Sequence, residues 1–334
     1  MIRAHAYPRA GLIGNPSDGY FGRTISFTFS NFKAEVTLYE TPEMEIVPRE
    51  RDLSRFESLD GLVRDVQLHG YYGGIRLLKA AIKRFHDYCQ AERIPLDDRN
   101  FTIRYHSDIP QQVGLAGSSA IITACMRALC AFYGVSIPRP VFANLVLSVE
   151  TRELGIPAGL QDRVAQAYDG LVCMDFNRDL MEKQGYGDYQ PLDLSLLPNL
   201  YIAYRTELSE GTEVFHNNIR ARWERGEPEV VNAMKTWAGL ALQVRDLLLA
   251  GRGREIGPLL DANFDLRKSI YQIGSGNLHM VDVARSVGAS AKFTGSGGAI
   301  VGHYEGDIMY LRLEEELARL GCRVLKPRYV PPEV

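Results

Sequence analysis

The chain has 334 residues, of which 46% are hydrophobic and 24% charged, an ordinary composition for a globular protein with room for two packed domains. Its net charge of -3 excludes a general nucleic-acid binder, which needs a basic face. The five cysteines form no C-x-x-C pair, so reduced thiols are favoured over disulfides. No stretch predicts a membrane helix or a signal peptide. We therefore expect a soluble, cytoplasmic protein with no membrane or nucleic-acid partner; the oligomeric state is left open.

Hydrophobic periodicity predicts alternating strands and helices along the chain. In chain order, the first half reads as strand structure over 25–38, a helix over 70–92, a strand over 101–106, helices over 118–132 and 141–154, and a strand over 171–176. The second half reads as a strand over 200–204, helices over 212–225, 228–250, 254–272 and 277–287, a strand pair over 291–304, a helix over 307–320 and a strand over 323–326. This order predicts an α+β protein.

A polar stretch rich in Gly, Asp and Pro separates these halves at 177–199. We place a domain boundary inside it, so that residues 1–195 form an N-terminal domain and residues 196–334 a C-terminal domain.

A glycine–serine loop at 110–120 leads into the predicted helix over 118–132. Gly114 and Gly117 allow positive φ and close approach to a ligand, and Ser118 or Ser119 can cap the helix. The first amides of a helix form a ready phosphate site. A serine-capped helix after a turn needs no ligand, however, so this segment alone leaves both interpretations open.

A second glycine cluster, Gly295, Gly297 and Gly298 around Ser296, stands directly before an apolar run. Closely spaced glycines at the start of a strand indicate that a ligand or another backbone comes very near. A tight hairpin turn is the alternative interpretation.

Two carboxylates lie between the glycine clusters. Glu150 is near the end of a predicted helix, and Gly155 and Gly159 introduce turns before Asp162. This arrangement could direct both carboxylates to one point, one to hold Mg²⁺ and one to orient an attacking hydroxyl. The alternatives are a solvated helix residue for Glu150 and a helix cap for Asp162.

Taken in order, these segments resemble the GHMP kinase superfamily. Its three motifs are matched by residues 6–18, 110–120 and 292–298, and the spacing from Glu150 to Asp162 is similar to that of its metal ligand and catalytic aspartate. The resemblance implies a two-domain GHMP kinase fold, with an N-terminal domain like ribosomal protein S5 domain 2 and a ferredoxin-like C-terminal domain.

Within the superfamily, residues 14–25, 70–78, 158–166 and 292–298 resemble the glucuronokinase subgroup. This likeness implies that ATP phosphorylates D-glucuronate at its anomeric hydroxyl, giving glucuronate 1-phosphate and ADP. The alternatives are a GHMP kinase for galacturonate, galactose or a heptose phosphate, and a non-catalytic sugar and ATP sensor. Asn15 and Pro16 stand where galactokinases have Glu-His, which disfavours galactose.

The resemblance also implies a role for particular residues. The triphosphate would lie on Pro110, Gly114, Leu115, Ala116, Gly117, Ser118, Ser119 and Ala120, with Mg²⁺ held by Glu150 and by Ser118 or Ser119. Asp162 would be the catalytic acceptor of the hydroxyl proton, assisted by Arg9. The substrate would meet Asp18, Arg23, Arg163, Gly295, Ser296 and Gly297. The choice between the two serines stays open, because the family's Gly-Leu-Gly-Ser-Ser motif is interrupted by Ala116.

A sugar acid needs a cation for its carboxylate, ideally an arginine that binds it through two hydrogen bonds. Arg23, Arg76 and Arg163 are the candidates, and Arg163 is the first choice because it adjoins Asp162. Asp18 has an Asx turn as its alternative role. The aromatic residues Tyr20, Tyr71, Tyr72 and Tyr168 are candidates for the walls of the sugar or adenine site, with core packing as the alternative.

Overall fold

The computed structural model describes residues 1–49, 52, 73–206, 219–329 and 331. Residues 70–72 of the predicted helix over 70–92, with Tyr71 and Tyr72, and residues 212–218 of the predicted helix over 212–225 lie outside these ranges. Within the described ranges, no helix has both the length and the apolar character that crossing a membrane requires.

Every predicted strand is present among the described residues, and four further strands, over 2–6, 9–13, 45–46 and 188–192, were not predicted. In chain order the described strands are β1 (Ile2–Ala6), β2 (Arg9–Ile13), β3 (Arg23–Thr28), β4 (Ala34–Thr41), β5 (Glu45–Ile46), β6 (Asn100–Ser107), β7 (Leu171–Asp175), β8 (Asp188–Leu192), β9 (Leu200–Arg205), β10 (Lys292–Phe293), β11 (Ala299–His303) and β12 (Cys322–Leu325).

The helices of the described residues match the predicted periodicity, except for the short helix over 178–184, which was not predicted. They are α1 (Gly74–Ala91), α2 (Gly117–Tyr133), α3 (Arg139–Ser148), α4 (Leu160–Tyr168), α5 (Arg178–Gln184), α6 (Ile219–Glu224), α7 (Pro228–Leu249), α8 (Gly257–Ile270), α9 (Ser275–Ser286) and α10 (Asp307–Ala318). A π-helical segment, Val149–Glu153, follows α3 directly. The predicted α+β class is confirmed.

The chain divides into two compact units, each made of several chain segments. The first unit comprises Met1–Pro8, Phe32–Ile109 and Gly117–Ala167. Its described strands form a sheet in the order β1-β4-β6-β5. Helix α2 contributes much of the apolar core of this unit, because Ile122, Cys125 and Leu129 recur on its buried side.

The second unit comprises Arg9–Asn31, Pro110–Ala116 and Tyr168–Val334. One of its sheets has the strand order β2-β3-β7-β8, and the other has the order β10-β11-β9-β12. The second sheet is antiparallel throughout its described pairs, with helices between β9 and β10 and between β11 and β12. This succession is the split βαβ pattern of ferredoxin-like domains.

The alternating stretch over 25–38 contains two strands that belong to different sheets. Strand β3 pairs with β2 and β7, whereas β4 pairs with β1 and β6. The chain turns at Ser30 and Asn31 between them. Alternation records only that one strand face is buried, so it cannot show that the chain changes sheets.

The polar stretch over 177–199 contains more regular structure than predicted. Helix α5 begins there because the Asn177 side chain accepts hydrogen bonds from the N–H groups of Asp179 and Leu180, and it ends at Gly185 in the left-handed region. Strand β8 then pairs with β7 and carries Pro191. The predicted boundary at 195/196 matches no edge of the two compact units and stays a prediction.

Candidate active site

The first unit contains a buried group of charged and polar side chains centred on Glu150. Glu150 lies in the π-helical segment Val149–Glu153, where the Leu154 N–H reaches the Val149 carbonyl at 3.1 Å. The Ile156 N–H donates to the Glu150 carbonyl at 2.7 Å. Single π-helical turns occur often at functional sites, because they displace one side chain from the regular helical face.

Two side chains contact the carboxylate of Glu150, a residue that is only 2% exposed. The Ser118 hydroxyl donates to Glu150 Oε1 at 2.9 Å. The Arg163 guanidinium binds the other carboxylate oxygen and lies 3.2 Å from Asp162 Oδ2. Arg163 also donates to the Gly159 carbonyl at 2.9 Å. One buried arginine therefore compensates two carboxylates, which a buried charge requires.

The oxygen atoms of Ser118 and Glu150 suit a magnesium ion. Mg²⁺ prefers hard oxygen ligands and keeps several water or phosphate oxygens besides its protein ligands. The described residues contain no cluster of three or more His, Cys, Asp or Glu side chains that could enclose a metal. Ser118 and Glu150 therefore fit a magnesium site that has few protein ligands and leaves coordination positions for phosphate oxygens. The Ser119 side chain is fully buried.

Arg163 was expected to bind a substrate carboxylate, but in the structure it binds carboxylates of the protein. Its side chain is 4% exposed and lies against Glu150 and Asp162, two carboxylates of the protein itself. The other two arginine candidates are also engaged. Arg23 pairs with Asp175 at 2.7 Å, and Arg76 is exposed and reaches the Leu154 carbonyl at 3.5 Å. The assignment of these arginines to a substrate stays a prediction.

In the second unit, the two glycine clusters lie against each other as bare backbone. A Cβ atom on Gly114 would stand 2.8 Å from the Gly297 carbonyl oxygen and 3.2 Å from the Ser296 nitrogen. A Cβ atom on Gly295 would stand 2.6 Å from the Gly114 carbonyl oxygen. The second cluster therefore has a neighbouring backbone, one of the two partners that its sequence pattern suggested.

Arg9 joins these two segments. Its Nη1 donates to the Gly114 carbonyl at 3.2 Å and to the Thr294 carbonyl at 2.7 Å. The Arg9 N–H donates to the Leu115 carbonyl at 3.2 Å. Arg9 is 5% exposed, so a scaffolding role is evident from its contacts. Its predicted role towards the transferred phosphoryl group stays a prediction.

The predicted nucleotide loop runs from the second unit into the first, and its residues differ in exposure. Pro110, Gly114 and Ala116 are half-buried in the second unit, where Leu115 is buried. Gly117 and Ser118 are half-buried in the first unit, where Ser119 and Ala120 are buried. Ala116 has a φ of 61°, so the residue that interrupts the family motif adopts the left-handed region. The binding of ATP to these residues stays a prediction.

The first motif, residues 6–18, contains the buried Asn15 and the half-buried Asp18. Asn15 is 4% exposed, and the Asn263 side chain binds both the Gly14 N–H at 2.8 Å and the Asn15 carbonyl at 3.1 Å. Asp18 lies in a short 3-10 helix, Ser17–Tyr20, and is half-buried. Sequence reasoning did not single out Asn263, because a helical asparagine gives no local signal of its partner.

Two buried cations of the second unit, Arg267 and Lys292, were given no role in the predicted site. Arg267 is 3% exposed and donates to the Gly295 carbonyl at 2.8 Å, and burial lowers its pKa. Lys292 is 1% exposed and donates to the Gly11 carbonyl at 2.6 Å and the Phe293 carbonyl at 2.7 Å. Burial lowers the pKa of Lys292 well below its usual range, and the neighbouring Arg267 and Arg9 add to this effect.

Substitution of Gly114 tests the backbone contact between the glycine segments. Gly114 has a φ of +72°, as has Gly226, which has no atoms within 4 Å of an added Cβ. We expect Gly226→Ala to lower the free energy of unfolding by about 1 kcal/mol through backbone strain alone. Gly114→Ala should cost about 1–3 kcal/mol more, because a backbone segment must also move. Urea unfolding of both variants measures the difference, and equal losses would contradict a close contact.

Substitution of Arg163 tests its role as a counter-ion. Arg163→Met leaves the Glu150 charge buried without its partner, so we expect a loss of about 3–5 kcal/mol in the free energy of unfolding. Adding Glu150→Gln should recover part of the loss, since no buried charge then remains unpaired. The control is Arg225→Met, which breaks an exposed ion pair with Glu227 at 2.7 Å and should cost less than about 1 kcal/mol. An Arg163→Met variant as stable as this control in urea would refute the role.

The chain is similar over nearly its whole length to known sugar kinases. The family model described as GHMP kinases N terminal domain matches residues 76–170. Probable glucuronokinase 2 of Arabidopsis thaliana is 46% identical, and the alignment covers 99% of this chain and 92% of the relative. Glucuronokinase 1 of the same plant is 45% identical with the same coverage.

Solved structures share the fold at low sequence identity. The mevalonate kinase of Methanococcus jannaschii is 22% identical with a TM-score of 0.71, over 98% of this chain and 98% of that one. The galactokinase of Lactococcus lactis, solved with galactose, is 14% identical with a TM-score of 0.77, over 99% of this chain and 95% of that one. These structures support the fold. Together with the identity to the plant proteins over nearly the whole chain, they show that the chain belongs to the GHMP kinases and, within them, to the glucuronokinase family.

Proposed function

We propose that this chain is an ATP-dependent sugar-acid 1-kinase that converts D-glucuronate and ATP to glucuronate 1-phosphate and ADP. The observation that carries the proposal is the 46% identity to a probable glucuronokinase over 99% of the chain. Membership of a kinase family implies that ATP is the phosphoryl donor. The geometry of the buried carboxylate group then supports a role for each of its residues.

Mg²⁺ is assigned to Glu150 and Ser118. When bound, the ion would neutralise charge on the phosphate oxygens of ATP. Ser118 is preferred to Ser119 because its hydroxyl already lies 2.9 Å from Glu150 Oε1, while the Ser119 side chain is fully buried. Arg163 holds Glu150 in place through its second oxygen and prevents that carboxylate from turning away.

Asp162 is assigned to the acceptor hydroxyl. Its carboxylate is 21% exposed, in contrast to the buried Glu150 carboxylate, so it can be reached by a ligand. It lies in the first turn of α4, and Arg163 at 3.2 Å fixes its direction. Asp162 would align the anomeric hydroxyl and receive its proton as the new oxygen–phosphorus bond forms, while the bond from the γ-phosphorus to the β–γ bridging oxygen breaks and ADP leaves. A loose phosphoryl-transfer transition state needs only a weak base for this step.

The triphosphate is assigned to the loop over 110–120. The α2 amides begin at Gly117, and the N-terminus of a helix attracts phosphate through its N–H groups and dipole. The buried side chains of Leu115 and Ala120 leave only their backbone available for this task. Gly295, Ser296 and Gly297 adjoin Gly114 and would keep this part of the loop in shape.

A sensor that binds sugar and ATP without turnover is the other class of function. The retention of Glu150 and Asp162 on one buried arginine favours catalysis, because binding alone does not require a second, partly exposed carboxylate there. The same contacts would be present in a kinase for another sugar, so the acceptor must be determined by assay.

An ADP-release assay with Mg²⁺ and ATP tests the acceptor. D-glucuronate, D-galacturonate, D-galactose and a heptose phosphate are compared, and we expect the highest kcat/KM with D-glucuronate. Coupling between phosphorus and the anomeric proton in the NMR spectrum of the product should place the phosphate on carbon 1. Turnover of galactose with none of glucuronate would contradict the substrate, and binding of both ligands without turnover would favour the sensor.

Replacement of Asp162 tests the catalytic role. We expect Asp162→Asn to lower kcat by at least about 100-fold, because the amide cannot take the proton, while the KM for ATP changes little. The matched control is Asp179→Asn, at an exposed aspartate in the first turn of α5, which should keep the kcat of the unmodified protein. Steady-state kinetics measures both, and a near-normal kcat in Asp162→Asn would contradict the assignment.

A further inference from the structure

Three aromatic rings and two arginines form a cluster in the second unit, which we call the aromatic cluster. The ring centroid of Trp223 lies 5.4 Å from that of Tyr20 and 6.0 Å from that of Phe21. The Arg220 guanidinium lies over the Tyr20 ring at 4.8 Å. The Arg178 guanidinium lies over the Phe21 ring at 4.5 Å. Each arginine is held by the face of a ring.

Arg220 is available to bind an anion. It is exposed on α6, and among the described residues it has neither an ion-pair partner nor a hydrogen-bond acceptor. The five N–H groups of a guanidinium form a fork that matches the two oxygen atoms of a carboxylate. A Cβ on Gly19 would stand 3.6 Å from the Arg220 Nη2 atom, so this nitrogen lies beside the Gly19 backbone, next to Asp18 in the chain.

Arg220 and Asp18 both act on the Tyr20 hydroxyl. Burial raises the pKa of Tyr20, the Arg220 charge opposes this shift, and the Asp18 charge adds to it. Asp18 immediately precedes Gly19 in the same short 3-10 helix. A carboxylate that can accept hydrogen bonds and a cation that can donate them are therefore near one tyrosine. A sugar acid carries the complementary groups, hydroxyls for the aspartate and a carboxylate for the arginine.

The other arginines considered for this task have partners. Arg163 binds Glu150 and Asp162, and Arg23 binds Asp175. Arg267 is 3% exposed and donates to the Gly295 carbonyl. An arginine that already compensates a protein carboxylate would lose that interaction on binding a substrate carboxylate, which Arg220 would not.

We propose that Arg220 is the specificity-determining residue that binds the carboxylate of the sugar acid, with the Tyr20 ring holding its guanidinium in position. This inference rests on the proposed function, because it assigns a residue to the acceptor of that reaction. Arg178 covers the Phe21 and Trp223 rings instead and provides a matched control, an arginine of the same aromatic cluster on different rings.

The test compares D-glucuronate with D-glucuronamide, in which a neutral amide replaces the carboxylate. For the unmodified protein, Arg220→Met, Arg220→Lys and Arg178→Met, the KM for glucuronate and the inhibition constant of glucuronamide against it are measured. We expect Arg220→Met to raise the KM for glucuronate about 10- to 100-fold, the value of a charge-assisted pair, with little change for glucuronamide. Arg220→Lys should restore part of the affinity, and Arg178→Met should leave both constants near those of the unmodified protein.

Each other outcome overturns the assignment in a recognisable way. An unchanged KM in Arg220→Met excludes a contact with the carboxylate, and an equal rise of both constants shows an effect on the sugar ring or the fold. A selective rise in Arg178→Met as large as that in Arg220→Met would assign recognition to the cluster rather than to Arg220. If the unmodified protein does not phosphorylate glucuronate, the proposed function fails first, and the assignment of Arg220 fails with it.

Discussion

The close contact between the backbones of Gly114 and residues 295–297 determines which side chains the two glycine segments of the second unit can carry. No side chain fits between them, since even a Cβ on Gly295 would stand 2.6 Å from the Gly114 carbonyl oxygen. The Gly114 carbonyl accepts hydrogen bonds from Arg9 at 3.2 Å and from the Thr294 hydroxyl at 3.2 Å. The Thr294 carbonyl accepts from Arg9 at 2.7 Å and from the Gly11 N–H at 2.8 Å. The absence of side chains thus allows the close approach of the two backbones, and the buried Arg9 helps to satisfy the carbonyls of both segments.

Among the described residues, some arginines hold the protein together through buried contacts, whereas Arg220 is exposed to solvent. Arg163 compensates Glu150 and Asp162 in the first unit, and Arg267 donates to the backbone of Gly295 in the second. Both are buried, and each fixes atoms assigned to the reaction or to its loops. Arg220 is exposed and lies over the Tyr20 ring, and it is the residue that we propose for an outside anion. Arg163, which adjoins Asp162 in the sequence, is already engaged by two carboxylates of the protein.

Much of the fold could be predicted from the sequence because local patterns report local structure. The α2 helix was visible from periodicity, but it begins at Gly117, so the predicted caps Ser118 and Ser119 lie inside its first turn. The short α5 helix and its partner strand β8 were not visible, because polar residues with Gly and Pro also form loops. The division of the stretch over 25–38 between two sheets could not be read either, because each sheet buries alternate residues in the same manner.

The sequence by itself determined the α+β class, the order of the elements and the membership of a kinase family, since periodicity and ordered motifs are properties of the chain. It also identified Glu150 and Asp162 as candidate site carboxylates, although a solvated helix residue and a helix cap stayed open as their alternative roles. Only the tertiary structure decided that Arg163 compensates both carboxylates and that Arg220 stacks on Tyr20, 200 residues earlier in the chain. Ion pairs and ring contacts depend on which surfaces meet after folding, and no local pattern in the sequence records that.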